Sequence, residues 1–180
     1  MSIFTNTASG AHEEAEGYIR AVLELLRDRD PLVVLSATVP ELERIVRGLD
    51  DETLRRPEAP GKWSLVEVVW HLADSDLVWA YRLRMVLAHD RPSLGGYDQD
   101  LWAERLRYRD RGLEPALDQL RVLREGTLTL LATLSPEQWQ RAGVHAERGE
   151  ESVEHLTRLY AGHDLVHLRQ AERIRRVVVG

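Results

Sequence analysis

The chain has 180 residues, a formal net charge of −6 and no cysteine. Its length suits one domain, residues 1–180, with a substantial core. Its charges are interleaved rather than gathered into a basic nucleic-acid surface, and disulfides, cysteine-ligated zinc and a protein thiol nucleophile are excluded. With no long apolar run and no basic leader ahead of one, neither a membrane span nor a secretory signal is expected, and the expected location is the cytoplasm.

The first nine residues are small and polar, a composition that predicts fraying. Tyr18, Val22, Leu25 and Leu26 then form a helical stripe ending at about Arg27, ahead of Pro31. Residues 10–29 are thus a leading accessory helix and residues 30–176 the core of the bundle. A second helix is predicted over about Leu32 to Arg47, with Leu35, Val39, Leu42, Ile45, Val46 and Leu49 inward and Gly48 as its stop. Pro40 falls inside it and, lacking a backbone donor, predicts a kink or a break.

The next helix has the best-specified start. Pro57, Pro60 and Gly61 end the preceding structure, Ser64 and Glu67 make a capping box, and Trp63 and Val68 take the positions of a hydrophobic staple. The helix runs to about His89 on Leu65, Val69, Leu72, Trp79, Leu83 and Val86, with His71 at the edge of that stripe. Residues 91–100 read as a connection and about Leu101 to Tyr108 as a short helical piece, a long crossover for a simple bundle. Pro115 suits the first turn of the following helix, whose inner side is marked by Leu117, Leu120, Leu123, Leu128 and Leu131. Ser135 to Gln138 predict a short capped helix. The last helix is expected from about Ser152 to Arg176, with Leu156, Leu159, Tyr160, His163, Val166, His167, Gln170 and Ile174 inward. No strand-like alternation of useful length and no internal repeat is seen. The fold class is all-α, a bundle of four main helices with additional short helices.

Histidines therefore stand where helical periodicity asks for core residues. His163 and His167, at i and i+4, project from one helical face with Cβ atoms roughly 5–6 Å apart, which is competent to bind one metal ion. The same spacing serves two half-buried polar residues hydrogen-bonded to neighbours, and His71 taken alone reads as a structural histidine. Taken together, the three lie on or beside core stripes, where unpaired imidazoles are costly. Other metal motifs fail on the string itself. No Glu-x-x-His pair of the di-iron carboxylate bundles is present, and His12-Glu13 is followed by Glu16 where the zinc-protease helix needs histidine. His12 and His89 read as solvated surface residues, and His145 and His155 as residues that could border a site.

The run GKWSLVEVVWHLADSD followed much later by AGHDLVHLRQ resembles the DinB/YfiT-like family, in particular its DinB-like domain group, from about Asp30 to Ile174. That resemblance implies an antiparallel four-helix bundle, commonly a homodimer, holding one divalent metal ion, zinc or nickel, on three histidines. Matched to this chain those ligands are His71, His163 and His167. It further implies a small-molecule substrate, because relatives include transferases that use low-molecular-weight thiols such as bacillithiol or mycothiol, while many members are labelled metal-dependent hydrolases. A metal on three imidazoles with an open position can lower the pKa of water for hydrolysis or hold a substrate thiol as thiolate, and the absence of cysteine suits thiol transfer. The alternatives are a noncatalytic stress-related binding module with a structural or vestigial metal, and a helical protein with no metal.

A metal-bound imidazole usually donates its other N–H to a carboxylate or carbonyl, which makes Glu67, Asp74, Asp164 and Gln170 candidates for that role. Tyr160 could line the mouth of the site or act as an acid. Trp70, Trp79 and Trp102 read as packing residues, and Tyr97, Asp98 and Asp100 as an edge supplied by the crossover. The metal reading expects three imidazoles within about 4 Å of one another, given Zn–N distances near 2.0–2.1 Å.

Overall fold

The computed structural model describes residues 11–180, with side chains from Gly17 onward. The expected fraying of the first nine residues and the exposure expected of His12 lie outside these. Helix α1 spans Ala11–Leu26. Helix α2, Pro31–Val46, is capped by Asp30, whose carboxylate accepts from Leu32 N at 2.8 Å. It runs through Pro40 without a break; Pro40 and Ser36, whose carbonyl loses its helical donor, are both exposed, where solvent can satisfy that carbonyl. Helix α3, Asp51–Arg55, was not anticipated and is one capped turn, Asp50 accepting from Thr53 N.

Helix α4 spans Leu65–Ala88, and its capping box is complete: Ser64 N donates to Glu67 Oε2 at 2.8 Å and Glu67 N to Ser64 Oγ at 3.4 Å. The crossover contains strand β1 (Ser93–Leu94), helix α5 (Gln99–Arg105) and a 3-10 turn at Tyr108–Asp110. Helix α5 begins earlier than the sequence suggests because Asp98 caps it. Helix α6 follows at Leu113–Leu131, α7 at Pro136–Trp139, strands β2 and β3 at Ala142–His145 and Gly149–Ser152, and α8 at Val153–Val179.

The three strands correct the expectation of no strands: β1 pairs parallel with β2, and β2 antiparallel with β3. At two to four residues each they are too short for alternation to register in sequence. Gly143 allows the β1–β2 approach, since a Cβ there would stand 2.9 Å from Pro92 O and from Leu94 Cγ.

In the bundle α2 lies against α6 and α8, and α4 against the same two helices. Paired side chains fix the directions. Thr38 meets Asp164 and Arg44 meets Glu172, so α2 and α8 run parallel. Gln119 meets Asp74 and Arg124 meets Asp76, so α4 and α6 also run parallel. The antiparallel neighbours are α2 with α6, through Leu35 to Arg124 and Glu43 to Arg121, and α4 with α8, through His71 to His163 and Arg82 to Tyr160. Because α6 starts beside the start of α4, the chain must travel back along a helix about 36 Å long at 1.5 Å per residue, which accounts for the long crossover. Helix α1 packs along α8 at Gly162, where a Cβ would stand 2.5 Å from Val22 O; only glycine permits this approach.

Two apolar clusters fill the interior. One joins Leu42, Leu65, Leu72, Leu117 and Ile174; the other joins Leu35, Trp79, Leu83, Leu131 and Leu156. Between them every bundle helix contributes buried polar residues: Thr38 from α2, Asp74, Ser75 and Asp76 from α4, Arg124 and Thr127 from α6, and His163, Asp164 and His167 from α8. A polar layer thus crosses the bundle. On α6 this corrects the expected inner face, as Arg124 and Thr127 are buried while Leu123 and Leu128 are only half-buried. Among the described residues no helix is long and apolar enough to cross a membrane.

Candidate metal centre

His71 enters the polar layer from α4, two turns after the capping box, and His163 and His167 enter from the facing stretch of α8. All three are buried. One ring nitrogen from each lies within 4.8 Å of the others, a little wider than expected, and the His71 and His163 Nε2 atoms are 3.1 Å apart. The Trp63 ring closes one side, its centroid 4.9 Å from that of His71 and 6.5 Å from that of His167.

The rings have differing partners. His167 Nδ1 is 2.8 Å from Gln170 Oε1, so Nδ1 carries the proton and Nε2 keeps its lone pair. His163 Nδ1 is buried with no hydrogen-bond partner, and Asp164 Oδ1 stands 3.9 Å away. Burial, reinforced by the charges of the other histidines, pushes His71 well below the usual imidazole range; burial and His163 push His167 down to about 3 despite the Gln170 bond. Both rings are therefore neutral at ordinary pH, the form in which imidazole ligates metals.

This donor set fits a single divalent ion. The contact between His71 and His163 does not involve the Nε2 of His167, whereas a metal ion can engage all three rings. Two nitrogens on a tetrahedral ion with bonds of about 2.0–2.1 Å stand ~3.3 Å apart, close to the His71–His163 separation.

Of the expected outer partners, Gln170 is the one within hydrogen-bond distance of a histidine, and Asp164 stands 3.9 Å from His163. Glu67 is taken by the capping box. Asp74 accepts from Tyr108 OH at 2.6 Å and Gln119 Nε2 at 2.9 Å, which ties the crossover and α6 to α4. Asp164 accepts from Thr38 Oγ1 at 2.6 Å and Arg124 Nη1 at 2.7 Å; burial works against its ionisation, but Arg124 holds its pKa down to about 2. Trp70, Trp79 and Trp102 pack: Trp70 donates to Gly112 O, Trp79 stacks on Tyr160 and Trp102 lies against Tyr97. Asp98 caps α5, Asp100 faces a separate surface recess with Trp63 and Glu67, His89 is exposed at the end of α4, and His155 is half-buried in the first turn of α8.

His163 also borders a cavity of about 100 Å³. Tyr97 and Tyr160 line it as expected, and His145, buried at the end of β2, lines it too. Tyr18 of α1 forms another wall, so the leading helix covers this cavity. Sequence reading missed Ser75, Arg82, Gln99, Glu147 and Arg148, which complete much of the lining. Only Arg82 left a sequence signal, an arginine in the inward row formed with Trp79, Leu83 and Val86.

A helical bundle that gathers three buried imidazoles from two facing helices beside a cavity belongs to the class of bundle proteins with an internal metal-competent site. The comparisons agree with that class. The family model of the DinB superfamily matches residues 35–171, and the chain belongs to that superfamily. Relatives include a protein of Oceanobacillus iheyensis, 32% identical over 127 residues, covering 71% of this chain and 73% of that one. Another, from Geobacillus thermodenitrificans, is 31% identical over 137 residues, covering 75% and 76%. Both are named as candidate metal-dependent hydrolases. The solved structure of YfiT from Bacillus subtilis, described as a four-helix bundle of unusual topology, superposes with a TM-score of 0.75 at 24% identity over 96% of this chain and 92% of that one. That likeness establishes the four-helix bundle.

Proposed function

We propose that His71, His163 and His167 hold one divalent metal ion, zinc or nickel, and that the protein is a metal-dependent transferase that activates a low-molecular-weight thiol toward a small electrophile. The observation that carries the metal reading is the convergence of three buried imidazoles, two of them 3.1 Å apart, at the wall of a cavity. When bound, the ion supplies a Lewis acid that lowers the pKa of a thiol or water in its open position. The protein supplies the rest. Gln170 fixes the tautomer of His167, burial keeps His71 and His167 neutral, and Tyr18, Tyr97 and Tyr160 confine the ligand in the cavity.

Thiol transfer is favoured over hydrolysis by the surroundings of the histidines. Hydrolysis gains from a general base beside the metal, yet the carboxylates nearest the histidines along α4 and α8, Glu67, Asp74 and Asp164, are each engaged elsewhere, which leaves Glu147 across the cavity as the remaining carboxylate. The chain also has no thiol of its own to compete for the metal. The names of the relatives favour the second reading, metal-dependent hydrolysis. A panel of small thiols with a chromogenic electrophile, run beside a panel of esters and amides, separates the two. Thiol-dependent turnover that stops on metal removal is expected; ester or amide turnover without any thiol requirement would replace transfer by hydrolysis.

Gln170→Ala is expected to weaken metal affinity by about 10–100-fold, the usual cost of removing the group that orients a ligating histidine. Competition against a chromophoric chelator measures it. Gln170→Glu, which keeps the acceptor, should recover most of the loss, and an unchanged affinity in the alanine variant would remove Gln170 from the site.

A further inference from the structure

Arg82 is 3% exposed, and among the described residues no carboxylate pairs with it. Its Nη1 donates to Tyr160 OH at 3.1 Å, its Nη2 donates to Gly95 O and lies 3.4 Å from His145 Nε2, and its Nε is buried with no hydrogen-bond partner. The other arginines of the interior are treated differently. Arg124 is matched by both Asp76 and Asp164, and Arg148 by a two-point bond to Glu151. A buried charge is costly without a counter-charge, so Arg82, with no carboxylate partner among the described residues, is suited to receive an anionic ligand.

His145 points to the same occupant. Its Nδ1 accepts from Glu147 N at 3.2 Å, so Nε2 carries the proton and meets Arg82 Nη2 as one donor facing another. Burial, aided by Arg148 and Arg82, pushes His145 down to about 4, which keeps this tautomer neutral. Gly95 O takes one Nη2 hydrogen, so the His145 Nε2–H, the second Nη2 hydrogen and the Arg82 Nε–H are left without an acceptor, and both residues line the cavity.

We propose that the cavity is a carboxylate-binding subsite in which Arg82 and the His145 Nε2–H hold the anionic end of a small organic acid, whose remainder passes Tyr160 toward His163. That the substrate then reaches a metal rests on the function proposed above; the anion subsite itself does not. A carboxylate suits the cavity better than a phosphoryl dianion, because one guanidinium charge balances one carboxylate and Glu147 on the lining opposes a second negative charge.

The test is titration of [1-¹³C]propionate, followed by its NMR line width, into wild-type protein both as purified and after chelator treatment. Similar affinity in both states is expected, with propionamide at least tenfold weaker and Arg82→Met at least tenfold weaker. Circular dichroism checks the fold of the variant. If Arg82→Met fails to fold, Tyr160→Phe, which removes only the hydroxyl bonded to Arg82, should weaken propionate about threefold. The proposal fails if propionamide binds equally well, or if a folded Arg82→Met, or Tyr160→Phe in its place, retains full affinity. It also fails if inorganic phosphate displaces propionate at tenfold lower concentration. Loss of propionate binding on metal removal alone places the carboxylate on the metal and overturns the subsite. Because the anion titration is also read on metal-stripped protein, a failed metal reading leaves its outcome intact.

Discussion

Replacing His163 by alanine is expected to abolish stoichiometric metal binding and to lower turnover by at least about a hundredfold, since loss of an outer partner alone costs ~10–100-fold. His163 is the most informative of the three to change. Its Nε2 is 3.1 Å from that of His71, and it is the histidine that borders the cavity. Without it the remaining rings cannot form a three-nitrogen site. Elemental analysis of protein purified without a histidine tag should give about one metal per wild-type chain and less than about a tenth of that for His163→Ala. Stability supplies an independent readout. A ligand that binds only the folded state stabilises it by about 4 kcal/mol at a thousandfold excess over its dissociation constant. The unfolding midpoint of the wild type should therefore fall on chelation while that of the variant stays put. A tag-free wild type with no bound metal and no chelator response would leave the histidines as a structural cluster.

The histidines were legible because periodicity and caps act locally. The row Leu156, Leu159, Tyr160, His163, His167 is set by the helical repeat, and His71 by a capping box two turns earlier, so helix spacing alone put imidazoles in inward slots. The cavity was not legible in the same way. Its walls come from α1, α4, the crossover, the β2–β3 hairpin and α8, and no local pattern announces that Tyr18, Gln99, His145 and Tyr160 converge. Proximity in sequence also misled: Glu67 and Asp74 lie within about a turn of His71 yet are held by Ser64 and by Tyr108 with Gln119. On α6 the leucines drew attention away from Arg124 and Thr127, which share the buried row with Leu117, Leu120 and Leu131. An arginine in a core slot is a signal on the string, and Arg82 and Arg124 both carried it. Only the three-dimensional contacts separate the compensated one from the bare one.

Arg124→Met is expected to destabilise the fold by about 3–5 kcal/mol, the cost of breaking a buried ion pair by removing one partner. Arg124 ties three helices together. Its guanidinium reaches Asp76 on α4 at 2.8 Å, Asp164 on α8 at 2.7 Å and Leu35 O on α2 at 2.8 Å, and the side chains of Arg124, Asp76 and Asp164 are 4%, 0% and 2% exposed. Methionine matches much of the volume but leaves two buried carboxylates without their cation. Against a total stability of about 5–15 kcal/mol, that loss approaches unfolding. It should also depend on pH in a definite direction. Burial already pushes Asp76 up to about 6, with Arg124 working to lower it, and Asp76 Oδ2 has no partner. A carboxyl whose folded pKa exceeds its unfolded value, about 3.9, favours folding fully below that value and loses the contribution as pH rises through the folded pKa. Removing Arg124 raises the folded pKa of Asp76 further, so the folded variant takes up a proton that the wild type releases by pH 7. Urea unfolding of both proteins at pH 5 and pH 8 should therefore show a smaller gap at pH 5. Adding Asp76→Asn to Arg124→Met should flatten much of that difference, because the amide is neutral at both pH values. An equal loss at pH 5 and pH 8 in Arg124→Met would mean that packing, not the stranded charge of Asp76, sets the cost.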